Sequence, residues 1–178
     1  MGKRVLIISS TPRVNGNSYI LAKSFAKGAE DSGNEVEIIN LRENKIDYCI
    51  GCYSCRKFGK CFQNDGMNTI NEKLLEADVI VFASPIYMYD VCGQLKTFID
   101  RILPIYKQLK SKEFYYIASC AENDKEAIEP SIKTIYGLLD NLENPILKGV
   151  IYGIDLHKTG EAEESSAKEE AYLLGKNI

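Results

Sequence analysis

Residues 4–21 read RVLIISSTPRVNGNSYIL. An apolar run of strand length, Val5 to Ile8, gives way to a turn of small hydrogen-bonding residues, and an apolar helical pattern begins at Tyr19, Ile20 and Leu21. Strand, short polar loop and helix in that order predict the opening half of a βαβ unit. The same alternation continues along the chain. Apolar, β-rich runs recur at 35–40, 79–83, 114–120 and 149–154, with stretches of helical period between them. Leu95, Phe98, Ile99, Ile102 and Leu103 repeat at the spacing of a helix laid on a sheet, and so do Ile128, Ile132, Ile135, Tyr136, Leu139 and Leu142. Five strands joined by helices predict an α/β three-layer sandwich: a five-stranded parallel sheet with right-handed crossovers and helices on both faces. A last helix is expected in the tail, with Ala167, Ala171 and Leu174 on one face.

Composition narrows the possibilities. The chain has 178 residues, enough for one good core and short for two, so residues 1–178 are expected to form a single domain. Its net charge of −3 supplies no basic footprint for nucleic acid. No apolar run approaches the roughly 20 residues of a membrane span. The basic start MGKR precedes an apolar run shorter than the roughly 7–15 residues of a secretory leader, which predicts a cytoplasmic location. The one histidine, His157, lies in a polar stretch and reads as a solvated surface residue, leaving few routes to a Ser-His-Asp or Cys-His mechanism.

The loop 9–18, SSTPRVNGNS, lies where a parallel sheet offers the free N–H groups and positive dipole end of a helix. Thr11, Asn17 and Ser18 add side-chain donors and Arg13 a guanidinium fork. The segment is neither G-x-G-x-x-G nor a P-loop ending in G-K-[ST], so what remains is a cradle for a single phosphate, or a plain turn capped by Asn17 or Ser18. After the third strand, ASPIYMYDVCGQLK (83–96) presents Pro85, Ile86, Tyr87 and Met88. This apolar and aromatic wall suits a flat heterocycle, or packing against a neighbouring loop or subunit. Ser119, Cys120, Ala121, Glu122 and Asn123 end the fourth run in a small polar turn whose backbone could meet a ring edge.

The long connection at about 41–68 holds YCIGCYSCRKFGKCF (48–62), with Cys49, Cys52, Cys55 and Cys61 spaced C-x2-C-x2-C-x5-C. A connection of this length is expected to be functional. In a reducing compartment, clustered cysteines bind metal or do redox chemistry more often than they form disulfides. Short spacings let consecutive sulfurs turn toward one centre, as an iron-sulfur cluster requires. Zinc sites of four cysteines use two separated C-x2-C knuckles, whereas these pairs overlap at Cys52. Iron-sulfur cluster, zinc and reduced or disulfide-forming thiols all stay open. Gly51 and Gly59 allow tight turns, and Arg56, Lys57 and Lys60 would offset thiolate charge.

Together, the Ser-Thr-Pro-Arg-x-Asn-Gly-Asn-Ser loop, the Ala-Ser-Pro-Ile-Tyr loop and the Gly-Gln-Leu-Lys-Thr-Phe-Ile-Asp-Arg helix resemble the NADPH-dependent FMN reductase family of flavodoxin-like proteins, over about residues 5–120. The resemblance implies FMN with its phosphate at Thr11, Arg13, Asn17 and Ser18, and its isoalloxazine against Pro85, Ile86, Tyr87 and Met88. Cys120 and Ala121 would make the third contact. The four-cysteine run is similar to the motif of the iron-sulfur flavoproteins, which implies a four-iron four-sulfur cluster on Cys49, Cys52, Cys55 and Cys61. Ser10, Met88 and Cys92 depart from the family pattern, where glycine, an aromatic and a small hydroxyl residue are usual. The flavin would carry the chemistry, with no catalytic side chain obligatory. NAD(P)H, or another small-molecule or protein donor and acceptor, would supply and remove electrons. The cysteine loop follows the edge strand of a flavodoxin-like order, so transfer is expected to run between subunits of a homodimer or homotetramer. Two alternatives are a metal-free NAD(P)H-dependent FMN or quinone reductase and a non-enzymatic thiol redox sensor or carrier.

Overall fold

The computed structural model describes residues 2–178. Six strands, β1 (Arg4–Ser9), β2 (Glu35–Asn40), β3 (Val79–Tyr87), β4 (Asp90–Val91), β5 (Glu113–Ser119) and β6 (Ile146–Gly153), alternate with helices α1 (Asn17–Asp31), α2 (Ser54–Phe58), α3 (Met67–Glu76), α4 (Gly93–Asp100), α5 (Glu129–Leu139) and α6 (Ser166–Lys176). Five strands are parallel in the order β2-β1-β3-β5-β6, the flavodoxin-like order. The two-residue β4 pairs antiparallel with the end of β3, so the expected five-stranded sheet carries one small addition.

Strand alternation divides the core. Leu6, Ile8, Ile80, Phe82, Phe114 and Tyr116 point to one face and pack with Met67, Leu74, Leu95, Phe98 and Ile135 of α3, α4 and α5. Val5, Ile7, Val79, Val81, Tyr115 and Ile117 point to the other and meet Ile20, Leu21, Phe25, Ala167 and Ala171 of α1 and α6. Each central strand is apolar at consecutive positions because both of its faces are covered. At the edge, β2 alternates instead and carries Glu35 and Glu37, charges that discourage edge-to-edge pairing.

Several elements differ from the sequence reading, β6 among them, which starts at Ile146 rather than at 149. β3 runs four residues past Ala83, because Ser84 and Pro85 keep their parallel register against Ala118 and Ser119. The β1 partners end at Ser9 and Ala83, so Pro85 lies where β3 has lost one neighbour, a position that tolerates proline. The 41–68 connection is not all coil, since it includes α2 and reaches into α3. Tyr136 stays half exposed, and Ile135 takes the sheet-facing position. The tail helix forms as expected, with Ala167 and Ala171 buried and Leu174 partly so. Among the described residues no helix is long and apolar enough to cross a membrane.

Helices α1 and α6 touch backbone to backbone. A Cβ on Gly28 would lie 2.0 Å from the Tyr172 carbonyl oxygen, and one on Gly175 would lie 2.1 Å from that of Phe25. Replacing Gly28 with valine is therefore expected to cost about 1–3 kcal/mol, the range for overpacking, and to loosen α6. Urea unfolding, with amide exchange of residues 166–176, measures both effects.

Candidate functional site

In this sheet order β1 and β3 are neighbours whose following helices lie on opposite faces, and the crevice at their carboxyl ends is where such folds bind ligands. Buried hydrogen bonds hold the crevice shut at its base. The Ser10 hydroxyl donates to the Ala83 carbonyl at 2.9 Å, and the Cys92 thiol lies 3.2 Å from Ser10 Oγ. The Cys92 N–H donates to Ser84 Oγ at 3.1 Å. Ser10 and Cys92, two of the positions that depart from the family pattern, thus touch each other and tie the first loop to the third. Their separation in the chain hid that pairing from the sequence.

Above this base the loop before α1 closes on itself. Thr11 is buried, and its Oγ1 accepts the Arg13 N–H at 3.2 Å. A Cβ on Gly16 would come within 2.4 Å of the same oxygen, so any larger residue there would have to displace the Thr11 side chain. Among the described residues no side chain caps α1, and the fully buried Ser18 hydroxyl has no hydrogen-bond partner. An uncapped helix start beside an orphaned hydroxyl is what a phosphate would satisfy. Asn17 differs from the sequence expectation. Its Oδ1 accepts the N–H groups of Gly160 at 3.1 Å and Ala162 at 3.2 Å, and its Nδ2 donates to the Lys158 carbonyl at 2.9 Å. Its side chain is spent on the C-terminal segment, leaving its main-chain N–H to the loop. The Arg13 side chain is exposed and, among the described residues, makes no ion pair.

The apolar wall is a hairpin rather than a loop. Pro85, Ile86 and Tyr87 extend β3, and Met88 and Tyr89 turn it into β4 with φ of 50° and 64°. Two consecutive left-handed residues suit a tight hairpin turn, but neither is the glycine or asparagine that the geometry prefers. Met88 is 95% exposed at the tip. The arm is pinned by Asp90, whose carboxylate accepts the Thr134 hydroxyl at 2.8 Å. In the loop after β5, Cys120 is buried; its N–H donates to Gly153 and its carbonyl accepts from Leu156, both at 2.8–2.9 Å. Burial pushes its thiol pKa up. Ala121 beside it is exposed.

Cys49, Cys52, Cys55 and Cys61 line one small pocket, floored by Asp100 and Arg101 at the end of α4 and by Leu103 and Pro104. Left-handed Gly51, Tyr53 and Gly59 fold the loop around it. All four thiols are free, and hydrogen bonds from Ser54 lower the Cys52 pKa. Among the described residues no group of three or more Cys, His, Asp or Glu is placed to hold a single metal ion; the four sulfurs line one pocket. The cations of the loop lie on its aromatics: Arg56 sits 4.4 Å from the Tyr53 ring centroid and Lys57 5.2 Å from that of Phe58.

Arg101 and Asp65 anchor the loop. The guanidinium donates to both Asp65 oxygens, at 2.7 and 2.9 Å, and to the Asp47 carbonyl at 2.6 Å. Both side chains are nearly sealed, at 1% and 6% exposure. Burial opposes the Asp65 charge, but Arg101 and the N–H groups of Asp47 and Met67 outweigh it and hold the carboxyl below its ordinary value. Burial likewise opposes the Arg101 charge, and Asp65 with the nearby Cys61 sulfur more than offsets it. Sequence reading passed over Asp65, since a single acid in a polar loop gives no sign of its partner. His157 is exposed beside Asp155, as expected.

The order of the strands and the three loops gathered at one edge define a doubly wound α/β protein of the flavodoxin type. The chain belongs to the NADPH-dependent FMN reductase family, an oxidoreductase family whose model matches residues 3–140. An iron-sulfur flavoprotein of Archaeoglobus fulgidus is 41% identical over 97 residues, which are 54% of this chain and 44% of that protein. An iron-sulfur flavoprotein of Methanocaldococcus jannaschii is 37% identical over 102 residues, 57% of this chain and 53% of that one. The aligned residues thus span about half the length of these curated relatives. In fold, the chain is similar to an NAD(P)H:quinone oxidoreductase from Methanothermobacter marburgensis, with a TM-score of 0.74, 15% identity, and coverage of 99% of this chain and 97% of that one.

Changing Met88 and Tyr89 to Asn-Gly is expected to stabilise the protein by about 1–2 kcal/mol, by removing left-handed strain, with the gain read from urea unfolding. Asp65 gives a pH signature. Its pKa is lowered on folding, so its contribution is complete above the ordinary carboxylate value, near 3.9, and is lost as pH falls through the depressed one. Exchange of the amides of residues 45–66 should accelerate in acid before that of the sheet. Asp65→Asn should cost about 3–5 kcal/mol and abolish that pH dependence.

Proposed function

We propose that this chain is an FMN-dependent oxidoreductase in which the 10–18 loop holds the flavin phosphate and the four-cysteine loop holds a four-iron four-sulfur cluster. The observation that carries the flavin reading is the orphaned, buried Ser18 hydroxyl in the uncapped first turn of α1, one strand away from the strained Met88–Tyr89 hairpin. Thr11, Ser18 and the main-chain N–H of Asn17 would bind the phosphate, with Arg13 screening its charge. Pro85, Ile86, Tyr87 and Met88 would cover the ring and exclude water from it, with Cys120 and Ala121 along its edge. FMN, when bound, supplies a centre that takes up two electrons and releases them singly. Cys49, Cys52, Cys55 and Cys61 would hold the cluster, a one-electron centre. Sharing one pocket supports that role, as does the likeness to proteins named iron-sulfur flavoproteins.

The rest of the proposal follows from surface and topology. NAD(P)H or another small-molecule or protein donor would deliver electrons, and a small-molecule or protein acceptor would remove them. The exposed Ile50, Phe58, Phe62 and Met88 supply apolar surface for a homodimer or homotetramer in the cytoplasm, with residues 1–178 as one domain and 41–68 as its insertion. One observation favours a second reading, a metal-free NAD(P)H-dependent FMN or quinone reductase: among the described residues no group of three or more Cys, His, Asp or Glu is placed to hold a single metal ion.

Anaerobically purified protein is expected to show a flavin spectrum and, after reconstitution, iron and sulfide in equal amounts. Flavin without iron would leave the metal-free reading. Ser18→Ala is expected to weaken FMN roughly 10–100-fold, matching the loss of one hydrogen bond to a charged group at about 1.5–3 kcal/mol, as measured by flavin fluorescence titration. An unchanged affinity would remove Ser18 from the phosphate site.

A further inference from the structure

Arg101 heads the large side chains that the protein buries completely. Burying a cation is costly unless it is paired and hydrogen-bonded, so its partners indicate its use. They lie at the two ends of the cysteine loop. Asp47, whose carbonyl accepts from Arg101 at 2.6 Å, precedes Cys49, and Asp65, which takes two more N–H groups, follows Cys61. Asp65 also receives the Asp47 N–H at 3.0 Å, which draws the two ends together. This network accounts for the terminal nitrogens. It leaves Nε, which is buried and has no partner among the described residues. A buried donor without an acceptor is costly, and Arg101 lines the same pocket as all four cysteines.

We propose that Arg101 is the positioning residue of the four-cysteine pocket: its guanidinium buckles both ends of the loop through Asp47 and Asp65, and its Nε–H donates to sulfur of the cluster held there. This rests on the cluster reading given above. Hydrogen bonds to cluster sulfur favour the more negative, reduced form, so the donor raises the cluster's potential. Lysine in its place would keep a charge for Asp65 but has no Nε–H in that position.

The test uses full-length protein, anaerobically reconstituted with iron and sulfide and carrying its flavin. Arg101→Lys is expected to retain FMN and to take up iron, with a cluster midpoint potential shifted downward and the flavin potential unmoved. A loaded Arg101→Lys cluster with an unshifted potential overturns the proposal and leaves the cluster reading standing. A second measurement needs no change at Arg101. Arginine carrying heavy nitrogen in its guanidino group alone is incorporated into the Arg56→Lys variant, which removes the other guanidinium of the loop. Pulsed electron paramagnetic resonance of the reduced protein should then show a coupled guanidino nitrogen, and its absence overturns the proposal even if Arg101→Lys fails to fold. If the unaltered protein binds FMN but takes up no iron, the cluster reading itself falls and Arg101's proposed role falls with it.

Discussion

A parallel strand cannot be joined to its neighbour by a short turn, and that constraint organises this molecule. Each connection must cross a face of the sheet, so both faces of β1, β3 and β5 are covered and their residues are apolar in sequence rather than alternately. The same requirement collects every strand's carboxyl end at one edge. The phosphate-type loop, the hairpin and the Cys120 turn come from distant parts of the chain, yet they share that edge without any side chain being selected for proximity. What selection must then refine is local: Gly16 where Thr11 leaves no room, and Ser10 and Cys92 where two loops meet.

The fold was legible because its signal is periodic and local. Val5 to Ile8 and Val79 to Ala83 read as two-sided strands, and the ridges of α4 and α5 read as one-sided helices. The positions of the loops followed from that alternation, and two loop motifs and one helix carry the resemblance to the family. Legibility failed where the deciding contact is distant or works against propensity. Asn17 looks like a phosphate donor in its own loop, but its amide is committed to Lys158, Gly160 and Ala162. Asp65 and Arg101 look like solvated charges until they are found sealed against each other. Met88 and Tyr89 have no turn-forming chemistry, so no sequence rule would place them at left-handed angles.

The two candidate centres are built by different means. The loop before α1 relies on backbone N–H groups and small hydroxyls fixed to the sheet, a rigid arrangement that needs no charge of its own. The cysteine loop has little regular structure. It is held by three left-handed residues, a five-residue helix and one buried ion pair, and it exposes Tyr48, Ile50, Phe58 and Phe62. A loop of that kind keeps its shape by a buried ion pair rather than by an apolar core, and Arg101 of that pair directly follows α4, the helix capped by Cys92 at the first candidate site.

The Asn17 clamp has a consequence for the far end of the chain. One amide side chain at the start of α1 satisfies main-chain groups from Lys158 to Ala162, immediately before α6. Closing the first loop and docking the last helix therefore share a free energy. Whatever tightens the one must, by linkage, make the open form of the other rarer, so protease resistance of the C-terminal segment becomes a gauge of events at the opposite end of the sequence.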